Sequence, residues 1–388
     1  MDVSILALKI IFWCSLSSVV FITFGYPVFL ALSAPFERRR RIVESHEPTV
    51  TFIIAAYNEE EGIERKILNT LALEYPRDKL QIVVASDGST DNTNAIVRRY
   101  ESHGVSLAAF PRTGKTGIQN RAAKMATGEI LVFSDANADY RPDAIRMLAR
   151  NFADPEVGGV CGQLNYVAQG EGAGASESTY WSYEKFLKRR ESALSSIVGA
   201  NGSIYAIRRA DYVELDENLI SDFVEPLAIV RNGKRMVYEP DAISVEHTST
   251  QYGTEYRRKV RILTRSINGL LHMSTLLNPF RFGVFAIQLF MHKFLRFVTP
   301  LFLLAGALSL LALAALGAYR PLFLGSLTAM IAAIGIAIAT TSAKPNPLIR
   351  ACHLVYYYLV ANYALVLAWR NVLTGQRMRL WTPERQQQ

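Results

Sequence analysis

Leu131-Val132-Phe133-Ser134-Asp135-Ala136-Asn137-Ala138-Asp139 decides how the chain is read. A short apolar run stops abruptly in an oxygen-rich turn, the pattern of a buried strand ending at a loop. Asp135, Asn137 and Asp139 put side-chain oxygens at alternating positions past the strand's carboxyl end. Hard cations take oxygen ligands, and Mg2+ commonly uses one or two carboxylates plus substrate phosphates. Open α/β sheets hold ligands at this end of their strands. The same residues would also serve as a plain Asp/Asn turn into a helix opened by Pro142. The flanking sequence chooses between the two.

Upstream, Thr49–Ala55 reads as a strand, and Tyr57-Asn58-Glu59-Glu60-Glu61 turns into a helix to Leu73 with an acidic first turn. Gln81–Ala85 is a second strand. Ser86-Asp87-Gly88-Ser89-Thr90-Asp91 follows, with Ser89 or Thr90 capping a helix that Gly104 ends. A strand at 105–109 leads through Pro111-Arg112-Thr113-Gly114-Lys115-Thr116-Gly117 into a helix stopped by Gly128. Strands alternating with helices predict βαβ units and a mostly parallel sheet. Three of these strands release polar residues at their carboxyl ends: Tyr57–Glu59, Asp87 and Asp135–Asn137. Together they predict a nucleotide-binding crevice. Beyond Gly158-Gly159 the pattern loosens. It gives a loop at 170–175, a helix at 177–195 and a turn at Gly199–Ser203. A helix at 218–230 then carries Ser221-Asp222, and an arginine-rich helix runs from 251 to 272.

Half of the 388 residues are hydrophobic, and the mean hydropathy is +0.13. The apolar residues are concentrated: 10–36, 297–319, 321–343 and 351–369 contain no Asp, Glu, Lys or Arg. Each approaches the roughly 20 apolar residues of a spanning helix. The first is too long for a signal-peptide core and is read as an anchor. This predicts an integral membrane protein with an inserted globular domain. Its expected parts are an anchor at 1–36, a catalytic domain at 37–275, an interfacial or membrane-dipping helix at 276–300 that Pro300 separates from spans at 301–370, and a tail at 371–388. Net charge is +8, but the excess lies beside the apolar segments, at Arg38–Arg41 and in 257–265. That placement marks a cytoplasmic membrane face and lipid contact, with no nucleic acid partner. The three cysteines have neither disulfide nor zinc spacing. The catalytic domain and the arginine-bearing tail are both expected in the cytoplasm, on a bacterial inner membrane.

The ordered set Ala55-Ala56-Tyr57-Asn58-Glu59, Ser86–Asp91, Gly114-Lys115, Ser134-Asp135-Ala136-Asn137, Gly199-Ala200-Asn201-Gly202 and Ser221-Asp222 resembles the family 2 glycosyltransferases of the cellulose-synthase-like superfamily. It covers roughly 48–265. The resemblance implies a GT-A fold, a nucleotide-sugar donor (a UDP-sugar foremost), Mg2+ or Mn2+, and inversion at the anomeric carbon. By resemblance Asp222 is the base. Ala55, Tyr57, Glu59 and Asp87 line the nucleoside pocket, and Lys115 and Arg261 meet phosphate or sugar. Asp135 and Asn137 hold the metal, while Gly199, Asn201 and Gly202 floor the acceptor site. The chemistry agrees: a metal can neutralise the departing diphosphate, so one carboxylate base suffices.

Two positions depart from the family pattern. Asp-x-Asp is Asp-Ala-Asn here, which exchanges a carboxylate for an amide oxygen. Where processive synthases carry Gln-x-x-Arg-Trp, this chain has Arg258-Lys259-Val260-Arg261-Ile262, keeping the arginine without the sugar-stacking tryptophan. The reading is therefore transfer of one or a few sugars to a lipid-linked or saccharide acceptor in cell-envelope or exopolysaccharide biosynthesis. A processive polysaccharide synthase and an inactive nucleotide-binding scaffold subunit are the alternatives.

Overall fold

The computed structural model describes residues 3–168, 174–248, 252–340 and 346–376. The loop expected at 170–175 therefore lies outside the described residues up to 173, as do the tail arginines from 377 onward. Helix α1 (Val3–Val20) continues through a wider turn at Phe21–Gly25 into α2 (Tyr26–Leu32). The 30 residues of Val3–Leu32 are long and apolar enough to cross a membrane.

Eight strands follow: β1 (Val50–Ala56), β2 (Leu80–Asp87), β3 (Val105–Phe110), β4 (Ile130–Asp135), β5 (Ala138–Tyr140), β6 (Val157–Ala168), β7 (Tyr205–Arg208) and β8 (Arg235–Thr248). They form one sheet in the order β3-β2-β1-β4-β7-β6-β8-β5. The first four positions are mutually parallel, with Ala55 level with Ala85 and with Asp135, so three strand ends open on one crevice. β7 runs antiparallel between β4 and β6, β8 is parallel to β6, and β5 is antiparallel to β8.

Every residue of β1 is buried, as expected of a parallel strand covered on both faces. On one face Phe52 and Ile54 pack with α3 (Ile63–Leu71), α4 (Thr93–Arg98) and, after α5 (Lys115–Met125), α6 (Ala144–Ala149). On the other, Ile53, Leu131 and Phe133 meet Ile118 and Ala122 of α5.

Three helices of the domain then turn toward the membrane segment: α7 (Gly174–Leu194), α8 (Ser221–Arg231) and α9 (Tyr252–His272). Beyond them run α10 (Pro279–Leu289), α11 (Leu295–Ala315), α12 (Arg320–Ala339) and α13 (Pro347–Leu373). Phe223 and Leu227 of α8 and Ile267 of α9 share one core with Phe285 of α10, Phe297 of α11 and Leu365 of α13.

Several local expectations are corrected. The helix expected from Tyr57 begins at Ile63, because Asn58 takes a left-handed φ of 50° and is tied to the next loop. Ser89 Oγ accepts from the Asn58 N–H at 3.1 Å, and the Thr90 N–H donates to Asn58 Oδ1 at 2.8 Å. Ser89 and Thr90 thus brace a loop and do not cap α4, which starts at Thr93. Pro142 precedes its helix by two residues. Pro300 breaks nothing, since α10 and α11 join through a wider turn at Phe290–Phe294 into the 37-residue stretch Pro279–Ala315. At 1.5 Å per residue that is roughly 55 Å, well beyond a hydrocarbon core of about 30 Å. Its first part packs on the globular domain instead, with Phe285, Ala286 and Leu289 buried there.

Candidate active site

Asp87 ends β2 fully buried. Its carboxylate accepts the N–H groups of Thr113 at 2.7 Å and Gly114 at 3.0 Å, and Nη1 of Arg112 at 2.7 Å. Gly114, at φ +94° and ψ 162°, adopts a backbone that a side chain would resist, and it turns its N–H inward. Asp87, expected at the nucleoside, is thus engaged in bracing this loop. The loop lays the Arg112 guanidinium over the Tyr57 ring, 3.1 Å from its centroid. Glu59 is buried, and its N–H donates to Thr93 Oγ1 at 2.8 Å. Ala55 points into the core beneath the crevice.

Asp135 ends β4 and pairs with Lys115, the first residue of α5. Lys115 Nζ also donates to the Gly202 carbonyl at 3.1 Å. Asn137 stands exposed at the tip of the turn. The three alternating oxygens do not converge: the chain turns at 136–137 and re-enters the sheet as β5, where Asp139 pairs with Arg65 at 3.4 Å. Among the described residues no three His, Cys, Asp or Glu side chains gather around one point as a metal cage. Asp135 and Asn137 offer one carboxylate and one amide oxygen, a donor set that suits a hard cation sharing its shell with a diphosphate.

The 199–202 loop lies against α8. The Ala200 N–H donates to the Asp222 carbonyl at 2.8 Å. Asn201 donates to the Gly162 carbonyl at 2.7 Å and accepts from Lys188. Gly202 is a glycine for want of space: a Cβ there would lie 2.7 Å from Asp222 Oδ2 and 3.0 Å from Lys115 Nζ. The Asp222 carboxylate, the Lys115 ammonium and, through it, Asp135 therefore meet at one residue.

Neither Ser221 nor Asp222 caps α8. Ser221 Oγ donates to Gln119 Oε1 at 2.6 Å, leaving the Asp222 carboxylate for the crevice. Burial pushes Asp222 up, with Lys115 opposing and Asp135 reinforcing the shift. Burial alone would lower Lys115, but Asp135 and Asp222 outweigh it and raise its ammonium.

Arg261, on α9, is lowered by burial and by the like charges of Arg258 and Arg112. Guanidinium groups from two elements thus converge, an arrangement suited to a diphosphate. Arg265, one turn on, faces the protein instead, donating to the Asn218 and Glu217 carbonyls at 3.3 Å and so clamping α9 to the chain before α8.

Three buried groups lie outside the site residues expected from sequence. Glu225 is 1% exposed, its oxygens find no hydrogen-bond partner among the described residues, and burial pushes its carboxyl to about 8 against the pull of the Tyr205 hydroxyl. Glu246, on β8, is pushed to about 7 by burial and by Asp135. Lys66 is wholly buried, donates to the Ala138 carbonyl and lies 4.3 Å from the Tyr140 ring centroid. Burial lowers it to about 7 against the attraction of Asp139 and Asp135. Only the spacing of Glu225, one helical turn after Asp222, was a signal in the sequence.

Residues 51–215 match the family described as Glycosyl transferase family 2. Poly-beta-1,6-N-acetyl-D-glucosamine synthase of Staphylococcus aureus (strain COL) is 26% identical over 220 residues, 55% of this chain and 53% of that protein. The protein of the same name from Staphylococcus epidermidis is 27% identical over 158 residues, 39% of this chain and 38% of that protein. The chain spans about half the length of the first of these relatives and less of the second. The mannosyltransferase PcManGT from Pyrobaculum calidifontis, solved in complex with GDP-Man and Mn2+, superposes with a TM-score of 0.73 at 23% identity. That likeness covers 95% of this chain and 99% of the other, and it establishes a common fold.

Proposed function

This chain carries a family 2 glycosyltransferase domain, and from that premise we propose that it moves a sugar, with inversion, from a nucleotide-sugar to a lipid-linked or saccharide acceptor at a membrane. The observation that carries the reading is the junction at Gly202, where the Asp222 carboxylate and the Lys115–Asp135 pair meet at the open ends of the parallel strands. In the proposed reaction Asp222 accepts the proton of the acceptor hydroxyl. The acceptor oxygen bonds to the anomeric carbon as the bond to the diphosphate breaks, and one displacement inverts that centre. Its raised affinity for protons makes Asp222 a stronger base than an exposed aspartate. Arg261, Arg258 and Arg112 supply positive charge for the leaving diphosphate. Asp135 and Asn137 would hold Mg2+ or Mn2+, which supplies charge neutralisation at the diphosphate.

Nucleotide-sugars are cytoplasmic, which puts the domain on that face, as do Arg38–Arg41 beside α2. The end of α13 is on the same side of the membrane: Trp369 Nε1 donates to the Phe297 carbonyl at 2.8 Å and Asn371 Nδ2 to Thr264 Oγ1 at 3.3 Å. α11 leaves the domain and α13 returns to it, so by parity one of α11, α12 and α13 does not cross. A cytoplasmic tail follows.

The deciding experiment screens UDP- and GDP-sugars for release of nucleoside diphosphate by the full chain in nanodiscs, with divalent metal and with chelator. Metal-dependent turnover of one donor is expected. No turnover of any donor would leave the scaffold-subunit reading in its place. The names of the Staphylococcus relatives favour a processive synthase as second reading, while Ile262 in place of a stacking tryptophan opposes it. Sizing the labelled product separates the two.

A further inference from the structure

Lys293 is supplied by the helical stretch that enters the membrane, yet it reaches the catalytic domain. Its ammonium lies 5.6 Å from the centroid of the Phe223 ring, next in sequence to Asp222. It is also 3.9 Å from where a Cβ on Gly199 would stand. No hydrogen bond or ion pair closes on it among the described residues. The charges around it are otherwise matched. Arg296 donates to Glu184 Oε1 at 2.7 Å. Glu191 Oε1 contacts His292 Nδ1 at 2.6 Å and accepts from the Tyr26 hydroxyl at 2.5 Å. A second ammonium, Lys188 from α7, is held at the same loop by Asn201 Oδ1. Two cations from two helices therefore flank the 199–202 loop, whose last glycine touches the Asp222 carboxylate. The Lys115 and Arg261 cations serve the donor's phosphates, whereas Lys293 meets Gly199 and Phe223. A half-buried cation above an aromatic face, without a counter-charge, favours an anionic ligand.

We propose that Lys293, with Lys188, binds a phosphate carried by the acceptor, so that this enzyme glycosylates a phosphate-bearing acceptor brought to the membrane surface. The proposal rests on the glycosyltransferase reading above. Its chemistry fits the placement: a cation at the head-group end of a membrane helix meets a lipid phosphate at its own depth. A soluble sugar phosphate would present the same group from water.

The test uses the full chain in nanodiscs of neutral lipid with the donor found in the screen. Transfer of labelled sugar is compared between polyisoprenyl phosphate and polyisoprenol, and between glucose 1-phosphate and glucose. The readout is the ratio of kcat/KM with and without phosphate, taken within one preparation so that any misfolded fraction cancels. The wild type should favour a phosphate-bearing acceptor. Lys293→Gln should cut that ratio by roughly tenfold or more, the usual worth of a charge-assisted contact, and Lys293→Arg should largely restore it. Preference for the lipid pair assigns the lipid phosphate, and preference for the sugar pair assigns the soluble one. A wild-type ratio near one in both pairs, or a ratio that Lys293→Gln does not lower, overturns the proposal. So does the absence of transfer to any phosphate-bearing acceptor from a donor that the enzyme turns over. Failure of donor turnover itself would fall on the glycosyltransferase reading instead.

Discussion

Gly202→Ala isolates the geometry on which the mechanism depends. The added methyl carbon would lie 2.7 Å from Asp222 Oδ2, 3.4 Å from its carboxyl carbon and 3.0 Å from Lys115 Nζ. Ordinary carbon–oxygen contact needs somewhat more than 3 Å, so the carboxylate must retreat by about half an ångström or more. Both neighbours are the far ends of flexible side chains, so the fold should yield cheaply, at about 1 kcal/mol or less. Catalysis should not, because a displacement near 1 Å at a reacting group can cost about 10²-fold. The expected result is a drop of roughly that size in kcat for transfer, with donor KM and thermal midpoint little changed. Single-turnover transfer, donor titration and a melt of the same sample measure all three. Gly199→Ala is the comparison, since its methyl would meet Phe223 at 3.5 Å and Lys293 at 3.9 Å, which is ordinary packing. It should cost far less. If Gly202→Ala turns over like the wild type, or if the two alanines behave alike, Asp222 is not positioned against Gly202 for chemistry.

Asp222→Asn should lower transfer by about 10²–10⁴ while nucleoside diphosphate still binds. The wild type should lose activity as pH falls through the Asp222 pKa, at a higher pH than an exposed aspartate would set, because burial raises it. A flat acid limb would refute the assignment. Asn137→Asp should tighten metal binding measured by titration and preserve activity, whereas Asp135→Ala should lose both; full activity in excess chelator would remove the metal from the mechanism. Glu225→Gln should stabilise the protein in a pH-dependent way. A carboxyl raised to about 8 favours the folded state while protonated, and that contribution is lost as pH climbs from the unfolded value near ~4.3 to about 8, at about 1.4 kcal/mol per pH unit. The gain in melting temperature over wild type should therefore grow across that window and level off above it, and a pH-independent difference would contradict the burial argument.

What was legible in the sequence follows from where the information is local. β1, β2 and β4 announced themselves as short apolar runs with polar ends, because a parallel strand buried on both faces writes its burial directly into composition. Asp135 and Asp222 were legible for the same reason, as acids placed at element ends. Tyr57–Gly62 was misread as helix because its acidic residues suit a first turn. What overrode that propensity was a left-handed Asn58 bound to residues thirty positions later. Asp87 looked like a ligand because it follows a strand, and only the fold reveals the 112–114 loop that takes up its oxygens.

Lys66, Glu246 and Lys293 share a deeper reason for their silence. Each lies on an element whose own pattern concerns packing, a helix, a long strand and a membrane helix, and each gains meaning only from the partner it meets. Lys66 reads as a polar helix position until β5 brings the Ala138 carbonyl to it. Glu246 reads as an alternating strand residue until its register places it opposite Ala138, beside the turn that carries Asp135 and Asn137. Lys293 reads as an interfacial cation, as does its neighbour Arg296, until α10 and α11 fold back on α8. Arg296 then finds Glu184, and Lys293 finds a ring and a glycine. That difference separates a structural cation from one available to substrate. It also implies that the membrane helices do more than anchor the domain, since they deliver part of the surface against which the acceptor is held.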